Sequence, residues 1–258
     1  MTENGGPSGP DLSRIPVREP PPPKAKRFYK EVSVAATGAG HRVLLDGRPM
    51  KTPLRRVLET PSLPLAEAVA QEWHAQGPEI EPLTMPLTRL VSTALDRVGP
   101  ERNAIVANLL AYAHTDLLCY RAPHPADLKA RQVALWQPIL DWLEAEHAIA
   151  LSVVHGIMPV TQSPTSLAAA EAALNVLSDE VLTALQASVA TTGSLALGLA
   201  LVHRRITPAE AFAAAQLDET YQNETWGEDA EAMRRRERLS DEVTAVGRYL
   251  ALLKGTSA

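Results

Sequence analysis

The sequence predicts an α+β protein, with a small N-terminal antiparallel β-sheet plus helices and a mostly α-helical C-terminal domain. Three observations predict it. Apolar and polar residues alternate from Phe28 onward and pass through turn signals at Gly38-Ala39-Gly40 and Asp46-Gly47. Helical spacing takes over near Ser62 and persists almost to the end. The 258 residues are 45% apolar and 21% charged, enough to bury a sizeable core.

The elements follow in order. Residues 1–26 read as a disordered Pro-rich leader, because Gly5-Gly6-Pro7, Gly9-Pro10 and Pro20 to Pro23 offer little to bury against chain entropy. Phe28, Val32 and Val34 begin two to four antiparallel strands that extend to Leu58. Ser62 caps a helix with Pro64 in its first turn, placing Leu65, Val69 and Trp73 on one face. Leu87, Leu90, Val91, Ala94, Leu95 and Val98 then follow helical spacing up to Gly99-Pro100. A domain boundary is expected there, giving domains 27–99 and 100–258. Beyond it, Ile105, Leu109 and Tyr112 share a face, and a helix from Ala126 to Ala145 carries a kink at Pro138. Ile149 to Val154 fits a short strand or a linker. Helices are expected at 166–177, 179–189 and 194–202. Thr207-Pro208-Ala209-Glu210 is a capping box, and its helix should run on through Trp226 to a stop at Gly227. Asp229 to Leu253 forms a last long helix.

Composition excludes several function classes. The net charge of −5 argues against nucleic acid and against anionic membrane surfaces. The single cysteine, Cys119, rules out an intrachain disulfide and fits a reducing compartment; among leucines it reads as a buried small hydrophobe. No apolar run approaches the roughly 20 residues a membrane span needs. Neither a secretory signal nor an acid-poor transit peptide is visible, so a bacterial cytoplasm is expected. No phosphate-binding or dinucleotide-binding glycine motif, nucleophile elbow or His-Glu-x-x-His motif occurs, and no metal, cofactor or small-molecule substrate is expected.

The most distinctive segment is Leu217 to Asp229. On a helix, Asp218, Gln222 and Trp226 stack at i, i+4 and i+8, with Glu219 beside Gln222. A leucine and alanine stripe would mark a core face; this one is polar and ends in an aromatic. Two readings stand. Asp218, Glu219, Gln222, Trp226 and Glu228 form a contact surface, or Gln222 and Trp226 join the last helices in a core. Trp73 with the turn Met85-Pro86-Leu87-Thr88 is a structural corner or a second contact. Asp116 and Tyr120 read as structural, with Asp116 a cap or buried hydrogen-bond hub. Catalytic dyads are poorly supported. His114 and Asp116 point apart on a helix, and Glu219 with Glu228 or Asp229 has no partner base. An acid–base hydrolase or lyase is the enzymatic alternative, and a generic helical adaptor is another. Arg234, Arg235, Arg236 and Arg238 are expected to pair with the acids of Glu228–Glu231.

Several segments together resemble one family. They are Leu45-Asp46-Gly47-Arg48-Pro49 with Lys51-Thr52-Pro53; Glu72-Trp73-x-x-Gln76 with Ile80, Pro82 and Met85-Pro86-Leu87-Thr88; Thr115 to Arg121; Trp136-x-Pro138 with Trp142; Thr192-Gly193-Ser194; and Asp218-Glu219-x-x-Gln222-x-x-x-Trp226-Gly227. In this order they are similar to the assembly chaperones of the F1 sector of ATP synthase, called assembly factor 2 in the mitochondrial naming. The resemblance covers about Arg27 to Leu253. It implies a non-enzymatic protein that binds the unassembled F1 α subunit transiently and shields its β-facing surface until the β subunit replaces it. It also implies an α+β N-terminal domain before a helical one. Mitochondrial members work in the matrix; this chain reads as a bacterial relative.

Overall fold

A computed structural model describes residues 25–227 and 229–253. The expected leader lies almost wholly outside the described residues, as does Glu228. The architecture is α+β, a small antiparallel sheet near the N-terminus followed by helices.

Strand β1 (Val32–Ala36) pairs antiparallel with β2 (His41–Leu45), with Val34 opposite Val43. β2 is central: it also pairs with β3 (Arg48–Pro49) and β4 (Glu59–Thr60). The Asp46-Gly47 hairpin forms as expected, with φ of 49° and 76°, the double positive φ of a tight two-residue turn. Gly40 is required for another reason. A Cβ there would lie 2.5 Å from the Thr60 carbonyl oxygen, so only glycine lets β4 approach.

Helix α1 (Leu63–His74) starts at the Ser62 cap, whose hydroxyl accepts from the Leu65 amide, and it lies across β1 and β2. Helix α2 (Pro86–Thr93) passes through a π-helical turn at Ala94–Val98 into α3 (Gly99–Tyr112). The interruption expected at Gly99-Pro100 therefore takes the form of a kink. Gly99 keeps helical angles and the break falls at Glu101, with φ −110° and ψ 19°.

Next come α4 (Ala126–His147, containing Pro138), α5 (Pro164–Asn175), α6 (Asp179–Thr192) and α7 (Leu195–Val202). Residues Leu195 to Leu201 of α7 are all buried, as an all-apolar helix must be. Two short strands pair across a long stretch of sequence. β5 (Tyr120–Arg121) and β6 (Val154–His155) run parallel, so the 149–154 segment is a linker that ends in a strand.

Helix α8 (Pro208–Ala215) begins with the expected capping box. It does not carry the polar stripe. The chain leaves helical geometry at Gln216 (φ −105°, ψ 17°), and the stripe sits on a separate helix, α9 (Leu217–Trp226). Helix α10 (Ala230–Leu253) closes the fold.

Two buried clusters hold the molecule. One gathers Trp136, Leu143, Leu182, Leu185 and Leu197 among the central helices. The other joins Tyr29, Val43, Leu58, Leu65 and Val69 to Val243, Val246, Tyr249 and Leu250 of α10. The last helix thus returns to the N-terminal core, and the Ser62 hydroxyl donates to the Leu252 carbonyl at 2.6 Å.

Candidate interaction site

The polar residues of α9 divide between two faces. One face docks on α4. Gln132 Nε2 donates to Asp218 Oδ1 at 2.8 Å, while buried Gln132 accepts the Ala122 amide through Oε1. The Tyr221 hydroxyl donates to Asp127 at 2.9 Å, and Arg131 pairs with Glu224 at 2.7 Å while its guanidinium lies 5.3 Å over the Tyr221 ring. Asp218, Tyr221 and Glu224 recur every third residue, so α4 sees a continuous ridge. The electrostatics agree with the geometry. The Tyr221 hydroxyl holds the Asp127 carboxyl below its usual range, and Glu224 raises the Arg131 guanidinium further. Beneath the docked helix, buried Trp136 donates its indole N–H to the Ala214 carbonyl at 2.9 Å.

The flank toward α10 is held by Arg236, which donates to Thr220 Oγ1 at 2.7 Å and stacks over Phe212 at 5.2 Å. This differs from the local pairing with upstream acids expected for the basic cluster. The Thr220 hydroxyl accepts a hydrogen bond and the Phe212 ring face receives the guanidinium in a cation–π contact.

The second face is Glu219, Gln222 and Trp226, at i, i+3 and i+7. Gln222 is exposed, Glu219 is half-buried, and Trp226 is 77% exposed at the helix end. Glu228 lies outside the described residues. So Asp218 serves the support, and the other three point away from it.

The Trp73 corner has its own chemistry. Glu72 is buried and reaches from α1 to the start of α2, where local capping is absent. Its carboxylate accepts the Leu87 and Thr88 amides at 2.8 Å each and the Thr88 hydroxyl at 2.7 Å. Trp73 donates its indole N–H to Thr88 Oγ1 at 3.2 Å. Gln76 donates to Thr84 Oγ1 and accepts the Glu81 amide. Met85 is buried and Pro86 occupies the first helical position. Local spacing does not mark Glu72 as a cap, because its partners lie 15 and 16 residues away.

Asp116 is the buried hub expected. Its carboxylate accepts the Leu118 amide at 3.0 Å, the Ser194 hydroxyl at 2.8 Å and the Ala196 amide at 2.9 Å, tying the α3–α4 connection to the start of α7. Burial pushes this carboxyl up, while those donors oppose the shift. Tyr120 donates to the His114 carbonyl at 2.8 Å. Neither residue is arranged for chemistry. Burial also pushes the Cys119 thiol up to about 12, far from a reactive thiolate. Among the described residues no group of acids, histidines and cysteines gathers to hold a metal, and no helix is long and apolar enough to cross a membrane.

The family model described as ATP12 chaperone protein matches residues 26–144. The solved structure of Atp12 from Paracoccus denitrificans superposes with a TM-score of 0.84 at 38% identity, covering 89% of this chain and 98% of that one. The chain belongs to the ATP12 chaperone family. The expectation of a non-enzymatic chaperone of ATP synthase F1 assembly is therefore met at the level of the family. Mitochondrial relatives are more distant. Protein atp12 of Schizosaccharomyces pombe is 25% identical over 224 residues, spanning 81% of this chain and 77% of that protein. Protein ATP12 of Saccharomyces cerevisiae is 26% identical, spanning 79% and 77%. In this ATP12-family chain the resembling motifs have local duties: Glu72, Trp73 and Gln76 build the α1–α2 corner, and Asp116 binds Ser194.

Proposed function

We propose that this chain binds the unassembled α subunit of F1 through the outward face of α9 and shields the α surface that later meets the β subunit. The observation that carries this reading is Trp226, a large aromatic left 77% exposed on a helix anchored by three separate contacts to α4. An anchored helix presents its free side chains with little entropy left to lose, which favours an aromatic anchor at a protein interface. Glu219 and Gln222 flank it with polar groups that set register against cations and amides on the client. The β subunit takes over by covering the same α surface. A bacterial cytoplasm is the setting we infer.

Co-expression with the α subunit of the same organism tests the proposal. Soluble α should rise and co-purify with the chain, and Glu219→Lys or Trp226→Ala should weaken that co-purification without unfolding the chain. If both variants retain α as well as the unaltered chain does, the α9 face is not the contact.

A further inference from the structure

A second surface lies away from α9, on the N-terminal elements. A cleft of about 660 Å³ opens beside the α1–α2 corner, walled by Met50, Leu54, Trp73, Ile80, Pro82 and Met85. A neighbouring cleft of about 550 Å³ shares Met50, Lys51 and Trp73 with it and extends past Phe28. Phe28 and Leu54 are 71% and 65% exposed, so the combined groove is open and strongly apolar.

Basic side chains outnumber acidic ones in its lining. Arg48, Lys51, Arg89 and Arg97 line the two clefts. Arg97 meets Glu101 at 3.5 Å, whereas Arg48, Lys51 and Arg89 have no ion pair among the described residues. The two acids in the lining are already engaged. Asp46 accepts the Lys30 and Glu31 amides, and Asp96 accepts the Thr52 hydroxyl and the Leu54 amide. A chain of net charge −5 thus gathers a local excess of positive charge around one apolar groove.

We infer that this groove docks a short apolar segment of a partner polypeptide flanked by aspartate or glutamate residues. The apolar walls supply burial for the segment's central side chains. The basic rim steers its acidic flanks and rejects basic ones. This inference stands apart from the α9 reading, because it rests on different elements and does not require the partner to be the α subunit.

The test uses the full chain and two fluorescein-labelled peptides. They share a leucine- and phenylalanine-rich centre; one has glutamate flanks and the other lysine flanks. In fluorescence anisotropy the glutamate-flanked peptide should bind at least about tenfold more tightly, and added salt should narrow the difference. The double variant Lys51→Glu/Arg89→Glu, both on exposed positions, should lose about tenfold toward the glutamate-flanked peptide. Leu54→Glu should weaken both peptides. Equal binding of the two peptides, or an unchanged affinity in the double variant, overturns the inference. So does sedimentation showing self-association that the double variant abolishes, since a second copy would then be the occupant.

Discussion

Replacing Glu72 tests how the α1–α2 corner is held. Glu72→Ala removes the sole side-chain cap of α2 among the described residues and leaves the Leu87 and Thr88 amides buried without their acceptor. Each orphaned donor costs about 1–3 kcal/mol. Losing an anion at a helix N-terminus adds about 0.3–1 kcal/mol. The sum is about 2–7 kcal/mol, a large share of the roughly 5–15 kcal/mol that holds a typical domain. For a chain of this length, about 2–4 °C of melting temperature goes with each kcal/mol, so the midpoint should fall by roughly 5–28 °C. Glu72→Gln keeps one acceptor oxygen and turns an amide N–H₂ toward the other donor, so it should cost about 2–3 kcal/mol. Thermal unfolding followed by circular dichroism checks both. A Glu72→Ala midpoint within about 3 °C of the unaltered chain, or a larger loss for glutamine than for alanine, refutes the capping argument.

Other predictions follow from single contacts. Asp116→Asn confronts three donors with one acceptor and should destabilise by about 2–4 kcal/mol, read from the denaturant midpoint. Gly247→Val should cost about 1–3 kcal/mol by overpacking, since a Cβ there would lie 2.2 Å from Pro208 Cγ where α10 crosses α8. Trp226→Ala should move the melting midpoint by no more than about 2 °C, yet weaken α-subunit binding about 30-fold or more. Acid should loosen the seat of α9 on α4 at Tyr221. The Asp127 carboxyl is depressed below its ordinary 3.8 by the Tyr221 hydroxyl. Its stabilising contribution is therefore complete above 3.8 and lost as pH falls through the lower folded-state value. Amide exchange in α9 should stay protected from neutral pH down to about pH 4 and rise below it; opening near pH 6 would contradict this.

Much of the fold was legible where a few adjacent residues decide the outcome. Asp46-Gly47, Ser62 and the Thr207–Glu210 box each carry their signal within four positions, and the structure forms each as expected. What stayed hidden depends on distant partners. The break at Gln216 has no glycine or proline to announce it. It separates Ala214, held by Trp136, from Asp218, held by Gln132, so tertiary contacts on α4 divide a segment that local propensity reads as one helix. The same blindness applies to Glu72, to the parallel β5–β6 pair and to Arg236, whose hydrogen-bond partner Thr220 lies 16 residues off on another helix. For the candidate site, the sequence marked the polar stripe but not its division, because spacing alone cannot say which face of α9 meets α4. The basic rim of the Trp73 groove was equally invisible. Arg48, Lys51, Arg89 and Arg97 become neighbours only when the β3 loop packs beside α2.

The most direct test of the proposed function is a displacement experiment with purified components. The chain is mixed with unassembled α subunit, the complex is isolated by size exclusion, and β subunit is then added. The account predicts a defined complex that keeps α soluble, fails to form with Glu219→Lys or Trp226→Ala, and gives up α as β binds. A chain that forms no complex with α, or a complex in which α binds this chain and β together without release, would contradict it.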